Sequence, residues 1–292
     1  MLDFRMDTFL TVCRYMNFTK AAEILSITQP GVSQHIHYLE TCYGAKLFKY
    51  DKKKMRLTDA GDILYKTAVR MKHDELYLKE SITDFDTRKK RLVFGATLTI
   101  GEFVIGEHLK DYLAAYPDAQ VKMLIGNTSE LLASLRLGEI DFALVEGNFS
   151  KNEYDHLIYS KERYIPVCGK DYSFQSEPNK LEDLLTHRII VRETGSGTRE
   201  ILEKNLEYRN LVIEDFKYVV EVGGMNAIKS LVEYNCGITF LYEAVVKKEL
   251  KSGTLRELKL EDFEVTHDFA FIWNHGSLFS DHYQKLFKLL KG

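Results

Sequence analysis

The residues near the start of the chain that could do chemistry lie in the stretch FTKAAEILSITQPGVSQHIHYLE, residues 18–40. Its second half places apolar residues at i, i+4 and i+7, which is the spacing of one helical face. The opposite side of that helix is polar and contains no acidic residue; it is formed by Pro30, Ser33, Gln34, His37 and Tyr38. The amide, hydroxyl and imidazole groups are suited to hydrogen bonding with the edges of a polar partner.

A second set of polar residues follows predicted strands in the later part of the chain. Four strand-to-helix junctions combine small or hydroxylic residues, at 97–99, 127–129, 192–199 and 223–226. Free N–H groups at helix N-termini attract anions, and either Arg192 or Arg199 can add a bidentate clamp. Helix capping alone is the simpler explanation of any one junction. Four junctions in one predicted cleft favour a binding site.

The same cleft also contains acidic residues. Glu146 and Glu193 lie close to these junctions in the predicted fold and can pair with an amine. The junctions therefore favour a small anionic ligand, and the two carboxylates suit an amine. The effector-binding residues expected on these grounds are Thr97, Thr99, Asn127, Thr128, Glu146, Arg192, Ser196, Thr198 and Gly224.

The polar face in residues 18–40 must be positioned by a compact head. Thr19 and Thr28 are predicted N-caps of two short helices, and Pro30 fits the first turn of the second helix. An apolar helix upstream can pack beneath this pair, and the segment 45–58 reads as a hairpin with a lysine-rich turn. Three helices with a basic wing place the second helix of the pair to enter a DNA major groove.

Charge supports a head that meets a polyanion. Residues 1–60 hold nine Lys or Arg and six Asp or Glu, a net charge of +3. The whole chain carries −3, so residues 61–292 carry −6. A basic head on an acidic body suits nucleic-acid binding by the head.

A long helix is predicted to connect the head to the rest of the chain. Thr58 is its expected N-cap and Phe85 its approximate end. Leu64, Met71, Leu78 and Phe85 recur every seven residues, as in a coiled-coil seam. An amphipathic helix lying on its own body is the alternative; we favour a dimer seam. The segment TRKKR at 87–91 is the expected hinge.

From residue 91 onward, apolar strand-like segments alternate with amphipathic helical segments. This alternation favours parallel sheets covered by helices on both sides. A late strand, HDFAFIWN, and a closing amphipathic helix complete the chain. Ligands bind such sheets beyond the carboxyl ends of the strands.

Composition limits the function classes. The 292 residues have no apolar run long enough for a membrane span and no signal peptide at the start, and the four cysteines are widely spaced. We therefore expect a cytoplasmic protein with no membrane association. No GxGxxG, GxxxxGK, HExxH or GxSxG motif is present. No catalytic residue, metal site or cofactor is expected, and the chain is not expected to be an enzyme.

The stretch 18–40, followed by YGAKLFK and LTDAGDIL, closely resembles the N-terminal domain of the LysR-type transcriptional regulators. The match covers residues 3–64. The resemblance implies that a set of residues contacts base edges or phosphates: Lys20, Gln29, Pro30, Ser33, Gln34, His37, Lys54 and Arg56. Where the family usually has a basic residue two positions after Leu-Phe, this chain has Tyr50, which keeps a hydrogen-bond donor and loses a charge.

The resemblance also implies the fold of the whole chain. An α+β protein is expected, with a winged helix-turn-helix at 1–58 and a linker helix and hinge at 59–90. The remaining residues, 91–292, resemble the two-lobed effector domain of the family, which is similar to type 2 periplasmic binding proteins. Lobe I would comprise about 91–161 and 267–292, and lobe II about 162–266. Several body segments also resemble the sulfur-metabolism branch of the family, and this resemblance implies a pocket for a small anion or an amino-acid-like metabolite.

The function expected from this resemblance is that of a bacterial, sequence-specific regulator modulated by a small metabolite bound between the lobes. Its expected partners are double-stranded DNA, the effector, a second copy in a homodimer that assembles to a tetramer, and RNA polymerase. The alternative is a two-lobed small-molecule-binding protein or enzyme with an accessory head. An exported binding protein needs a signal peptide and an enzyme needs a reactive group, and neither is evident in the sequence.

Overall fold

The computed structural model describes residues 3–52, 54–83 and 90–291, apart from the side chains of residues 73, 76, 77, 80, 81 and 83. The head contains three helices and a two-stranded wing. They are α1 (Phe4–Tyr15), α2 (Phe18–Leu25), α3 (Gln29–Tyr43), β1 (Phe48–Asp51) and β2 (Lys54–Leu57). A long helix, α4 (Asp59–Thr83), follows the wing.

Capping residues fix the tight turn between α2 and α3. Thr28 is the N-cap of α3, as predicted, and its hydroxyl accepts from the Gly31 N–H at 3.2 Å. The prediction of Thr19 as the cap of α2 is wrong: Asn17 is the N-cap, and its side chain accepts from the Lys20 N–H at 2.9 Å. An amide oxygen two residues earlier lets the helix start at Phe18.

The apolar stripe of α3 forms the centre of the head. Val32, Ile36 and Leu39 are all buried against residues of α1 and α2, as the spacing predicts. Their burial fixes the rotation of α3 about its axis, so that the polar side faces away from the core. This rotation positions every candidate base-contacting residue on the helix.

The body is an α/β structure with one mixed sheet. Its strands are β3 (Arg91–Ala96), β4 (Gln120–Ile125), β5 (Phe142–Val145), β6 (Tyr154–Gly169), β7 (Arg188–Val191), β8 (Tyr218–Glu221), β9 (Ile238–Tyr242), β10 (Leu255–Glu257) and β11 (Val265–Asn274). Its α-helices are α5 (Ile105–Ala115), α6 (Thr128–Leu137), α7 (Gly197–Glu207), α8 (Met225–Glu233), α9 (Glu243–Ser252) and α10 (Ser280–Lys291).

Two long strands divide the sheet into two lobes. In the first lobe, β3 lies between β4 and β5, all parallel; in the second, β7 lies between β8 and β9, again parallel. Between these groups β6 and β11 run antiparallel through ten residue pairs. The expectation of parallel sheets therefore holds within each lobe and is wrong for the strands that join them.

The sequence reading missed two elements of the second lobe. Helix α9 and strand β10 lie between β9 and β11, in a segment for which no element was predicted. In addition, the strand predicted to begin at Arg163 is β6, which begins nine residues earlier. In the stretch DHLIYSKE, three charged residues flank a short apolar run, and this hides the strand period.

Helix α4 joins head and body and contacts both. Thr58 accepts from the Gly61 N–H at 3.0 Å and so caps the helix as predicted. On the body side, Asp74 accepts from the Ser277 hydroxyl at 2.8 Å and from the Leu278 N–H at 3.4 Å. Phe85 and most of the predicted hinge lie outside the described residues. Among the described helices, none is long and apolar enough to span a membrane.

Candidate DNA-binding surface and ligand cleft

The outer side of α3 is exposed and carries no carboxylate before Glu40. Gln29, Pro30, Gln34 and His37 are exposed, and Ser33 is half-buried beside them. The Gln29 amide donates to the Ser33 hydroxyl at 3.1 Å, which links two of these side chains along the helix. A helix presenting amides, a hydroxyl and an imidazole can reach base edges in a major groove.

The wing flanks this helix with cations. Lys54 and Arg56 are both exposed on β2, and Arg56 Nε lies 3.5 Å from a carboxylate oxygen of Asp51 across the hairpin. Lys20, at the start of α2, pairs with Glu23 at 3.0 Å. Pairs as exposed as these are weak and can exchange their partner for a phosphate.

A cavity of about 430 Å³ separates the wing from α3. Gln29, Ser33 and Tyr50 line it, and the Tyr50 side chain is 74% exposed. The residue that departs from the family pattern therefore stands beside the candidate base-contacting residues, where its hydroxyl can donate to a phosphate.

The candidate effector site is a cleft beyond the carboxyl ends of the parallel strands. A cavity of about 320 Å³ lies there, between the two lobes. Six of the nine predicted effector residues line it: Thr97, Asn127, Thr128, Glu146, Arg192 and Ser196. Position and lining match the place where open α/β sheets bind their ligands.

The other three predicted residues, Thr99, Thr198 and Gly224, do not line the cavity. Thr99 and Thr198 are fully buried behind it, and their hydroxyl oxygens are 3.4 Å apart across the two lobes. Gly224 is the N-cap of α8 and does not line the cavity, whereas its neighbour Gly223 does. The sequence reading missed part of the wall, formed by Leu98, Ile125, Gly126, Glu130, Gly197 and Gly223.

Two helices present their N-termini to the cleft in different states. The first turn of α6 is satisfied by a capping box, since Asn127 and Glu130 bond to each other's backbone N–H at 2.9 Å. In contrast, Ser196 at the N-cap of α7 makes no side-chain capping bond. The N–H groups at the start of α7 are therefore the better place for an anionic group.

Arg192 is buried at 7% exposure and forms two hydrogen bonds to Glu193. Its Nε and Nη2 donate to the carboxylate at 2.7 and 2.6 Å. Partial burial opposes ionisation of Glu193, but the guanidinium prevails and lowers the pKa of that carboxyl. The arginine predicted as an anion clamp thus holds a carboxylate of its own chain.

Glu146 lies at the floor of the cleft, directly after β5, with 3% of its surface exposed. The Thr99 hydroxyl donates to its Oε1 at 3.2 Å. Burial raises the pKa of Glu146 to about 7, against the opposing effects of the Thr99 hydrogen bond and the Arg192 charge. The main-chain carbonyl of Glu146 is hydrogen-bonded to the His267 ring on β11, so the same residue is tied to the strand joining the lobes.

An exposed helix-turn-helix and an interlobe cleft together define a DNA-binding transcriptional regulator with an effector-binding domain. Residues 5–62 match the family described as bacterial regulatory helix-turn-helix protein, lysR family, and residues 86–292 match the LysR substrate binding domain. The chain belongs to the LysR family of transcriptional regulators. The resemblance seen in the sequence and the expected fold class are thereby confirmed.

Relatives extend over nearly the whole chain. The HTH-type transcriptional regulator CysL of Bacillus subtilis is 30% identical over 275 residues, covering 91% of this chain and 89% of that protein. The HTH-type transcriptional activator CmpR of Synechocystis is 26% identical and covers 94% of this chain and 90% of its own length.

Solved structures share the fold at lower identity. ArgP from Mycobacterium tuberculosis superposes with a TM-score of 0.75 at 16% identity, over 100% of this chain and 98% of that chain. Full-length LysG from Corynebacterium glutamicum, solved with bound effector Arg, gives a TM-score of 0.70 at 16% identity, over 99% and 98% of the two chains.

Proposed function

We propose that this chain regulates transcription by binding specific double-stranded DNA through α3 and by changing that binding when a small metabolite enters the interlobe cleft. The single observation that carries the proposal is the cleft itself, where hydroxyl, carboxylate and guanidinium groups from both lobes converge. A regulator is favoured over an enzyme because the chain belongs to the LysR family of transcriptional regulators.

The ligand class follows from the cleft residues. Hydroxyls of Thr97 and Ser196 with the free N–H groups of α7 suit an acid group, and Glu146 suits an amine. A small anionic or amino-acid-like metabolite is the effector we propose. Two solved structures with similar folds contain small ligands: LysG was solved with bound effector Arg, and the CcmR regulatory domain of Synechocystis was solved in complex with 2-PG.

We also propose a division of the chain at residues 58 and 90 into head, linker and body, with lobe I at about 91–161 and 267–292 and lobe II at about 162–266. The exposed apolar residues of α4 support a homodimer along this helix, and we propose that the dimer assembles to a tetramer. We further propose that the protein acts in the cytoplasm and together with RNA polymerase.

Screening tests this function directly. Small acids and amino acids are added to the full chain, and ligands are identified by a rise in the unfolding temperature, since a ligand that binds only the folded state stabilises it. Identified ligands are then added to footprints on upstream DNA of the chain's own gene. We expect the footprint to change with the ligand; an unchanged footprint with a bound ligand would contradict regulation by the cleft.

Matched variants locate the ligand. Thr99→Ala removes the hydroxyl that contacts Glu146, whereas Thr99→Ser keeps it. We expect Thr99→Ala to weaken ligand binding by roughly 1–2 kcal/mol while binding to DNA without ligand is unchanged. Equal ligand affinity in both variants would place the ligand elsewhere.

A further inference from the structure

The cleft contains more acidic than basic groups. Three carboxylates line it, those of Glu130, Glu146 and Glu193, against the single guanidinium of Arg192. Two of the carboxylates already have strong partners, since Glu193 holds Arg192 and Glu130 caps the Asn127 N–H. A purely anionic ligand entering this cleft would meet repulsion that its contacts must overcome.

Glu146 is the carboxylate whose hydrogen bonds are incomplete. Its Oε1 accepts one bond from Thr99, and the neighbouring Thr198 hydroxyl also favours the ionised form, whereas its Oε2 is buried with no hydrogen-bond partner among the described residues. The nearest guanidinium, Arg192, directs its Nε and Nη2 to Glu193 instead. A buried ionised oxygen without a donor is costly, so the floor of the cleft lacks a donor that a ligand can supply.

We propose that the effector carries a protonated amine that donates to Glu146, beside an acid group that lies against the free N–H groups at the start of α7. This inference rests on the proposed function and narrows the ligand to a zwitterion of the amino-acid kind. Distinct ends of one small molecule would then contact the two lobes, because Glu146 follows β5 of the first lobe and α7 belongs to the second.

The protonation state of Glu146 makes the direction of proton exchange on ligand binding a test of this proposal. Near neutral pH the carboxyl is partly protonated, because burial raises its pKa to about 7. An arriving ammonium favours the ionised form and releases that proton, whereas a simple anion favours the neutral form and takes one up. The ionisable and charged groups facing Glu146 from the elements around it are Arg192, Glu193, Glu200, Tyr164, Tyr242 and His267.

The test is calorimetric titration of the full chain at pH 6.5 in two buffers that differ in ionisation enthalpy. The probes are the twenty common L-amino acids, the 2-hydroxy acid corresponding to each amino acid that binds, and inorganic sulfate and phosphate. We expect at least one amino acid to bind with release of a fraction of one proton. Its 2-hydroxy counterpart should bind about ten- to hundredfold more weakly, because a charge-assisted hydrogen bond is missing.

Variants connect the effect to one side chain. Glu146→Gln should abolish both the proton release and the preference for the amine. Glu207→Gln, which changes an exposed carboxylate at the C-terminal end of α7, should retain both. The number of protons that the unmodified chain releases or takes up on ligand binding tests the proposal even when a variant folds poorly.

Three results would overturn the inference: failure of every amino acid to bind, equal affinity for the hydroxy acid, or proton uptake on binding. Binding of sulfate or phosphate alone, with a changed DNA footprint, would leave the proposed regulatory function intact and overturn only the amine. Loss of the proposed function would instead appear as absence of any ligand effect on DNA.

Discussion

Gln34 and Glu146 are both polar, and the fold treats them in opposite ways. Gln34 stays exposed on α3, where its amide is available to a partner, whereas Glu146 is buried where its charge is costly. The helical spacing in the sequence predicts the exposure of Gln34. The burial of Glu146 depends on how β5, α7 and β11 pack together, and no local sequence pattern predicts the packing of elements so far apart in the chain. The pairing of Arg192 with Glu193 could not be predicted from the sequence either, because the side chains of adjacent residues often point in different directions.

Base contact by Gln34 predicts a loss of specificity. Gln34→Ala should cost about 1–3 kcal/mol on the cognate site and relax the preference at one base pair. Lys54→Ala should weaken binding to all sequences alike and reduce the slope of affinity against salt by about one ion. Fluorescence anisotropy on cognate and random DNA measures both, with Gln120→Ala on β4 as control. Equal loss on both DNAs for Gln34→Ala would remove it from the base contacts.

The buried Glu146 carboxyl predicts a pH dependence of stability. Its pKa is raised from 4.5 to about 7 in the folded state, so the folded chain binds more protons than the unfolded chain between these values. The free energy of unfolding should therefore fall as pH rises through this window, by about 3 kcal/mol in total.

Urea unfolding at pH 5 and pH 8 measures this fall in the free energy of unfolding. Glu146→Gln should lack the fall, while Glu182→Gln, which changes an exposed carboxylate, should keep it. The same fall in all three proteins would show that Glu146 is not the group responsible.

At the scale of elements, α4 carries apolar side chains that the chain does not cover. Met71 is 47% exposed, Leu78 49% and Ile82 62%, whereas Ala68 on the same helix is buried against the head. The seven-residue spacing predicted a stripe that includes Leu64, Met71 and Leu78. Leu64 packs against the head, and the other two are exposed to solvent. An exposed apolar stripe of this kind is typical of a helix that pairs with a second copy.

Dimerisation along α4 predicts the effect of a charge in the stripe. Leu78→Asp would bury an unpaired carboxylate between two copies and should shift the molecular mass toward that of the monomer. Light scattering at several protein concentrations measures the shift, and Tyr208→Asp, at a residue 85% exposed at the end of α7, is the control. An unchanged dimer in Leu78→Asp would place the interface elsewhere.

At the scale of the whole molecule, we propose that a signal from the cleft reaches α3 through α4 and through the direct contacts between head and body. The sequence pattern revealed the head, the linker and the alternating body. The family resemblance supplied the two lobes, because the local pattern predicts strand β11 but not its pairing with the distant strands β5 and β6. The contacts between head and body, such as the ion pair of Arg14 and Glu139, join residues far apart in the chain and were not predictable.

Coupling through α4 predicts a variant in which both sites function separately. Asp74→Ala removes the acceptor that holds Ser277 and Leu278 of the first lobe. Affinities for ligand and for DNA alone should stay within about twofold, whereas the ligand-dependent change in the footprint should shrink. Asp62→Ala, which loses only a pair with Lys66 within α4, is the control. A full ligand response in Asp74→Ala would exclude this contact from the path.

Sequence-specific DNA binding by the head is tested most directly by selection. Purified full-length chain is mixed with fragmented DNA of its own genome at physiological salt, and bound fragments are sequenced. We expect enrichment of a short sequence with two related half-sites, separated as two copies of α3 on a dimer require. Gln34→Ala should lose that enrichment while still retaining DNA nonspecifically. Recovery of fragments without any common sequence, or the same enrichment in Gln34→Ala, would contradict recognition of DNA by α3.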